Sequence, residues 1–298
     1  MSPLGNARVL GFDLETTGVD TDNDRIVTAC AVLLEGGRVV FEREWLIAVD
    51  VDIPEGATAV HGISTEHARA NGVPADVAVK EIANAIRYAL VSGHPVVGFN
   101  VCFDLSMLNA EYVRHGFGTL EEFCGQPIAP VLDGLVLDKA TDRYRPGSRT
   151  LTSVCEHYGI ELTDAHNATA DAVAAVEVVH RILERAEMDT ADLRALYADR
   201  KYPDSAVRSF RAVAAVGAQE LHKRQVSWYR EQAEGLGTYW ATERQKCLAS
   251  ADMDVPPTLP ELPDAGDDER RQVWREQADD YERRIASLRF DWPLVASA

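Results

Sequence analysis

The chain has no run of about 18 apolar residues, so nothing in it is long enough to cross a bilayer as a helix. Its first residues, MSPLGNARVLGF, lack the basic start and long apolar core of a secretory signal. Its five cysteines (Cys30, Cys102, Cys124, Cys155 and Cys247) are scattered, with no C-x-x-C pair. That argues against a zinc ribbon or a disulfide frame and fits reduced thiols in the cytoplasm. Positive charge is also scarce: 30 lysines and arginines face 48 acids, a net charge of −18. A broad basic surface for nucleic acid is therefore absent, although bound cations reverse the sign locally.

What is present begins with GFDLETTG, residues 11–18. The run RVLGFDLETTG has the pattern of a β-strand, in which alternate side chains share a face. Asp13 and Glu15 then lie on one face and Phe12 and Leu14 on the other. Two adjacent anions repel and are costly to desolvate. Either the face is solvated, or a hard cation sits between the carboxylates.

Two further acids lie where elements meet. In VVGFNVCFDLSML, residues 96–108, Asp104 follows a short buried strand and opens a helix expected over about 104–115. In HNATADAVAAVEVV, residues 166–179, Asp171 lies in the first turns of a helix expected over 168–186, with His166 just ahead of it. Singly, each of these acids suits a helix start. Together, four carboxylates form an oxygen-rich set suited to Mg²⁺ or Mn²⁺. Two such ions clamp the attacking and leaving oxygens of a phosphoryl displacement, and a neutral histidine takes the proton of the attacking water.

The remaining elements are read from periodicity. RIVTACAVLLEGGRVVFEREWLIAV is a hairpin around Glu35-Gly36-Gly37. Ser64 caps a short helix, a longer one covers 75–91, PVL at 130–132 is a strand, and TLTSVCEHYG is a helix closed by Gly159. Strands first and then alternation predict a mixed sheet with helices on its faces, an α/β fold. Beyond about residue 190 the strand signals vanish. Residues 204–234 read as one long helix broken or kinked at Gly235 and Gly237, and a last helix is expected over about 268–289. Between them, residues 251–269 carry four prolines, seven acids and no base, the composition of a linker or strap. The expected division is a catalytic domain over 1–190, sufficient for chemistry by itself, and a helical region over 191–298.

Taken in order, FDLETTG, NVCFD and HNATAD resemble the three motifs of the DEDDh 3′–5′ exonucleases, a family that includes the proofreading epsilon subunit of bacterial DNA polymerase III and ribonuclease T. VHGIS, residues 60–64, resembles the segment between their first two motifs. The resemblance covers about residues 6–187. It implies a ribonuclease H-like fold and two Mg²⁺ or Mn²⁺ ions. Asp13, Glu15 and Asp171 would hold one ion. Asp13 would bridge to the second, with Asp104 in support, and His166 would be the general base. It also implies that Leu14, Thr16, Thr17, Asn100 and Phe103 lie beside the 3′-terminal nucleotide, partly through backbone groups, that His61 either lines the same pocket or is a helix-entry histidine, and that Asp133 resembles a recurrent aspartate with a structural role. Arg143, Arg145 and Arg149 are either phosphate contacts or a solvated loop. The implied substrate is a single-stranded DNA 3′ end, with RNA as the alternative in the same class. An interaction subunit of a replication assembly is the alternative of another class. The aromatic residues of the C-terminal region (Trp228, Tyr229, Tyr239, Trp240, Trp274) suit either the core of a helical hairpin or a face for a replication or repair protein.

Overall fold

A computed structural model describes residues 7–162 and 167–294. Its centre is a six-stranded sheet of order β4-β3-β2-β1-β5-β6. Strands β1 (Arg8–Thr16), β2 (Ile26–Glu35) and β3 (Arg38–Ala48) form an antiparallel meander, with Arg8 opposite Glu35 and Asp13 opposite Cys30. Gly36 and Gly37 close the β2–β3 hairpin with φ of 57° and 78°. Two successive positive φ values match the strand twist, and glycine adopts them without penalty.

Helices α1 (Glu55–His61) and α2 (Thr65–Asn71) follow. Ser64 caps α2 by accepting the His67 N–H. A two-residue strand, β4 (Val73–Pro74), pairs with the end of β3 and leads into α3 (Ala75–Val91). Strand β5 (Val96–Gly98) runs parallel to β1, and α4 (Val101–Arg114) and α5 (Leu120–Cys124) lead on to β6 (Val131–Asp133), parallel to β5. Then come α6 (Gly134–Thr141), α7 (Leu151–Tyr158), α8 (Ala168–Glu187), α9 (Thr190–Leu196), α10 (Pro203–Arg211), α11 (Ala218–Ala251) and α12 (Asp267–Ala286).

Val9, Leu10, Phe12 and Leu14 of β1 are all buried, so both faces of the sheet are covered. Helix α8 covers the face shared by Gly11, Asp13 and Glu15. A Cβ on Gly11 would stand 3.0 Å from the Ala172 carbonyl oxygen and 3.2 Å from Val176 Cγ2. Glycine on the strand and alanine on the helix allow this close approach, which brings Asp171 beside Asp13. The mixed sheet flanked by helices is the ribonuclease H-like arrangement expected.

Three expectations differ from the structure. Helix α4 starts at Val101 rather than near 104, because Asn100 takes a left-handed conformation with φ of 63° and opens it early. The long helix over 204–234 is two helices, α10 and α11, separated by residues 212–217, where Ala215 has φ of 54°. Gly235 and Gly237 lie unbroken inside α11. A Cβ on Gly237 would meet Leu288 Cδ1 at 2.8 Å, so that glycine makes room for a neighbour.

Two compact units divide the chain. One runs to Val226 and includes the stretch from Trp292; the other is Ser227–Asp291. The expected division at 190 falls inside the first unit. Tyr197 and Phe210 are buried there, with ring centroids 5.4 Å apart. The start of α11 also seals the free edge of β6. Gln225, fully buried, accepts the Asp133 N–H at 2.8 Å and donates to the Val131 carbonyl at 3.1 Å, while His222 Nδ1 accepts the Val131 N–H at 3.1 Å. Side chains of a helix thus replace the missing neighbour strand. In the second unit, Trp274 donates to the Pro257 carbonyl at 3.3 Å, and Tyr239 is exposed. No helix among the described residues is long and apolar enough to cross a membrane.

Candidate active site

The period of β1 delivers Asp13 and Glu15 to the face covered by α8, where Asp171 sits in that helix's first turn. Asn167 caps α8 by accepting the Ala170 N–H at 3.1 Å. One carboxylate oxygen each from Asp13, Glu15 and Asp171 lies within 4.8 Å of the others. Asp104, buried in the first turn of α4, accepts the Leu14 N–H at 3.2 Å and so ties α4 to β1. The four acids line one open cleft of about 220 Å³ together with Leu14, Phe99, Asn100, Phe103 and Leu151.

The electrostatics are those of an anion cluster held out of water. Burial, and then the charges of Asp104, Asp171 and Glu15, push the Asp13 carboxyl well above the usual range. Burial and Asp171 raise Glu15 to about 7. Burial and then Asp133 raise Asp104, against the opposing pull of backbone N–H groups. Hard carboxylate oxygens converging at this spacing fit a divalent cation, whose charge would return them to the ionised state.

A second cleft of about 220 Å³ adjoins through Glu15 and is lined by Thr28, Trp45, His61, Ile63 and Asn167 among others. His61 Nδ1 accepts the Ile63 N–H at 3.1 Å, which leaves the ring proton on Nε2. Burial lowers the pKa of this ring, so it is a neutral donor at pH 7. Its buried Nε2 has no partner among the described residues.

The remaining expected residues divide between cleft and scaffold. Leu14, Asn100 and Phe103 line the catalytic cleft, and His61 lines its neighbour. Thr16 and Thr17 line neither. Their hydroxyls donate to the Gly18 carbonyl at 2.7 Å and to Asp24 at 2.9 Å, holding the turn after β1. His166 lies outside the described residues. Asp133 is a scaffold residue: it accepts the N–H groups of Asn100, Leu135 and Val136 and so fixes the left-handed turn that opens α4. Arg145 and Arg149 both pair with the buried Asp138, which leaves Arg143 exposed. Phe99, Leu151 and Trp45 carry no motif that marks them in sequence; only the fold brings them to the clefts.

The sequence matches the exonuclease family of the ribonuclease T type over residues 10–179. It is similar to the PolC-type DNA polymerase III of Pediococcus pentosaceus, 26% identical over 62% of this chain and 12% of the relative. It is also similar to that of Clostridium perfringens, 29% identical over 62% of this chain and 12% of the relative. The chain thus aligns with about an eighth of those proteins' length. Among solved structures, E. coli Exonuclease I in complex with a dT13 oligonucleotide superposes with a TM-score of 0.52 at 21% identity, over 64% of this chain and 44% of that one. The zinc-bound form of its ssDNA complex superposes with a TM-score of 0.53 at 22% identity, over 65% and 45%. With the acidic cleft, the motif order and a family match over more than half its length, the chain belongs to the exonuclease family.

Proposed function

We propose that the protein removes nucleoside 5′-monophosphates from the 3′ end of single-stranded DNA. The convergence of Asp13, Glu15 and Asp171 within 4.8 Å, with Asp104 on the same cleft, is the observation that carries this reading. DNA rather than RNA is favoured by the relatives, which are named as DNA polymerases. Asp13, Glu15 and Asp171 would hold Mg²⁺ or Mn²⁺, with Asp13 shared and Asp104 supporting a second ion. When bound, the ions supply positive charge to the scissile phosphate and lower the pKa of the attacking water.

The chain's own residues do the rest. Leu14, Phe99, Phe103 and Asn100 form a half-apolar cradle for the terminal nucleotide. The Nε2–H of His61 is placed to donate to it from the adjoining cleft. His166 takes the proton of the attacking water. The water oxygen bonds to phosphorus as the P–O3′ bond breaks, the 5′-monophosphate departs, and the 3′-oxygen takes a proton from solvent to leave the shortened strand with a 3′-hydroxyl. The acids of 251–269 repel phosphates, which favours a replication or repair protein over DNA as the partner of that region.

The test follows 5′-labelled single-stranded DNA, duplex DNA and RNA with Mg²⁺ or Mn²⁺. Stepwise shortening of the labelled single strand with release of mononucleotides is expected. Asp13→Ala should lower kcat by orders of magnitude with an unchanged circular dichroism spectrum. His166→Ala should slow catalysis by about 10²–10⁴-fold and flatten the rise of rate with pH. Internal cleavage, or a fully active Asp13→Ala enzyme, would overturn the assignment.

A further inference from the structure

A third, smaller cleft, of about 20 Å³, lies between the end of α6 and the segment that leads into α10. Two tyrosines line it, Tyr144 and Tyr202, with ring centroids 5.0 Å apart and planes tilted by 58°. Both are exposed, at 58% and 46%. Neither ring is needed by the core, and large rings are costly to leave in water. Lys201 Nζ stands 5.2 Å from the Tyr202 ring centroid.

The charge here runs against that of the chain. Arg143 and Lys201 line the cleft, are exposed, and form no ion pair among the described residues. The acids nearby are mostly answered. Asp142 is buried, with Arg200 at 3.9 Å and His157 at 3.3 Å. Asp204 pairs with Arg194 at 3.0 Å. Asp199 remains as the exposed acid of the stretch. Ser205, in the first turn of α10, adds a hydroxyl to the wall, and no side chain caps that helix.

The cleft has a fixed relation to the catalytic one. The loop of residues 142–150 starts in it, and the next residue, Leu151, lines the catalytic cleft. Arg145 and Arg149 clamp this loop to the buried Asp138, and Arg149 also donates to the Asp142 carbonyl at 2.7 Å. The platform is thus held rigidly rather than carried on a loose loop.

We propose that Tyr144, Tyr202, Arg143 and Lys201 form a second contact for the single strand, gripping nucleotides on the 5′ side of the terminal one. Exposed aromatic faces stack on bases of any sequence, and unpaired cations between them meet the phosphates. Single-stranded rather than duplex nucleic acid is the occupant, because the rings need unpaired bases. This rests on the exonuclease reading for its orientation but not for its binding chemistry.

The experiment therefore separates the two. Affinity for a labelled 20-nucleotide strand is measured by fluorescence anisotropy in EDTA, where no hydrolysis occurs, and kinetics are measured with metal on the 20-mer and on a trinucleotide. The paired substitution Tyr144→Ala with Tyr202→Ala should weaken 20-mer binding about 5-fold or more, the usual effect of losing a stacking partner. It should raise KM for the 20-mer alike, and leave kcat and the trinucleotide KM unchanged. Tyr→Phe at both positions should restore binding. Arg143→Glu with Lys201→Glu, both on the surface, should lower the slope of log affinity against log salt by about 1.4, from two lost phosphate contacts. Variants that bind the 20-mer as tightly as the parent, or that weaken trinucleotide and 20-mer equally, would overturn the inference while leaving the nuclease reading intact. Parent protein that binds through these residues but hydrolyses no strand would have the opposite meaning.

Discussion

Asp13 and Glu15 occupy positions where burial and neighbouring carboxylates raise the pKa, and this has a thermodynamic consequence. Glu15 titrates near 7 in the folded chain against an ordinary value of 4.5. Between those values the folded state keeps a proton that the unfolded state has released. Stability contributed by this group is fully present below pH 4.5 and is lost as pH rises toward 7. Metal-free protein should therefore melt at progressively lower temperature as pH rises through that window, and Mg²⁺ should reverse the loss by binding only the folded state. Glu15→Gln removes the repulsion with the ligand. It should raise the metal-free Tm at pH 8 and shrink the Tm gain on adding Mg²⁺. A melting curve for Glu15→Gln that matches the parent with and without the ion would show that Glu15 neither suffers the repulsion nor holds a cation. The four acids were legible in sequence because each breaks a pattern: a charge in an apolar strand, or an acid where two elements join. The turn contacts of the Thr16 and Thr17 hydroxyls were not legible. Whether a hydroxyl faces a cleft or closes a turn depends on φ and ψ after the strand, where β1 pairing shifts register between Glu15 and Thr16.

At the scale of elements, the site depends on how closely α8 approaches β1. Gly11 sets that distance, because any Cβ there presses on the Ala172 carbonyl one residue beyond Asp171. Gly11→Ala should cost about 1–3 kcal/mol by overpacking, read by urea unfolding. It should also shift Asp171 relative to Asp13 and lower kcat by about 10–100-fold, since small misplacements of catalytic groups are amplified in rate. A folded Gly11→Ala enzyme with full kcat would mean that this contact does not set the carboxylate geometry. Strands β1 to β3, α3 and α8 were legible because their periodicity spans several turns or pleats, and the short α7 was legible because Gly159 marks its end. β4, α5 and α9 were not, being too short to display a period, and α6, as short as α7, ends at Asp142 with no glycine to mark it. The split between α10 and α11 was hidden for another reason. Phe210, Val213 and Leu221 are all buried, so the apolar pattern continues across the break, and only the left-handed backbone at Ala215 interrupts the helix.

For the whole molecule, the question is where the catalytic unit ends. The sequence suggested about residue 190, because every catalytic motif and every strand signal lies before it. Packing places the boundary of the first compact unit after Val226 instead. Three consequences separate the two positions. A chain ending at 190 loses Phe210, fully buried, and a buried phenylalanine is worth about 3–5 kcal/mol against its removal. It loses Tyr197, whose hydroxyl accepts from Arg185 at 3.0 Å. It also loses Gln225 and His222, leaving the N–H groups of Val131 and Asp133 without these partners at the edge of the sheet. Each buried polar group so abandoned costs about 1–3 kcal/mol. The sum reaches the whole stability of an ordinary domain, about 5–15 kcal/mol. A chain ending at 226 keeps all of these, and of the first unit it loses the stretch from Trp292, whose ring lies 5.0 Å from that of His222. The longer truncation should fold cooperatively and hydrolyse a trinucleotide with the kcat of the full chain, at a somewhat lower Tm. The shorter one should show no cooperative melting transition and no activity. Calorimetry and single-turnover kinetics on the two truncations, side by side, decide the matter. A chain of 190 residues that melts cooperatively and turns over normally would mean that the helices after α8 are an addition to the exonuclease unit rather than part of its core.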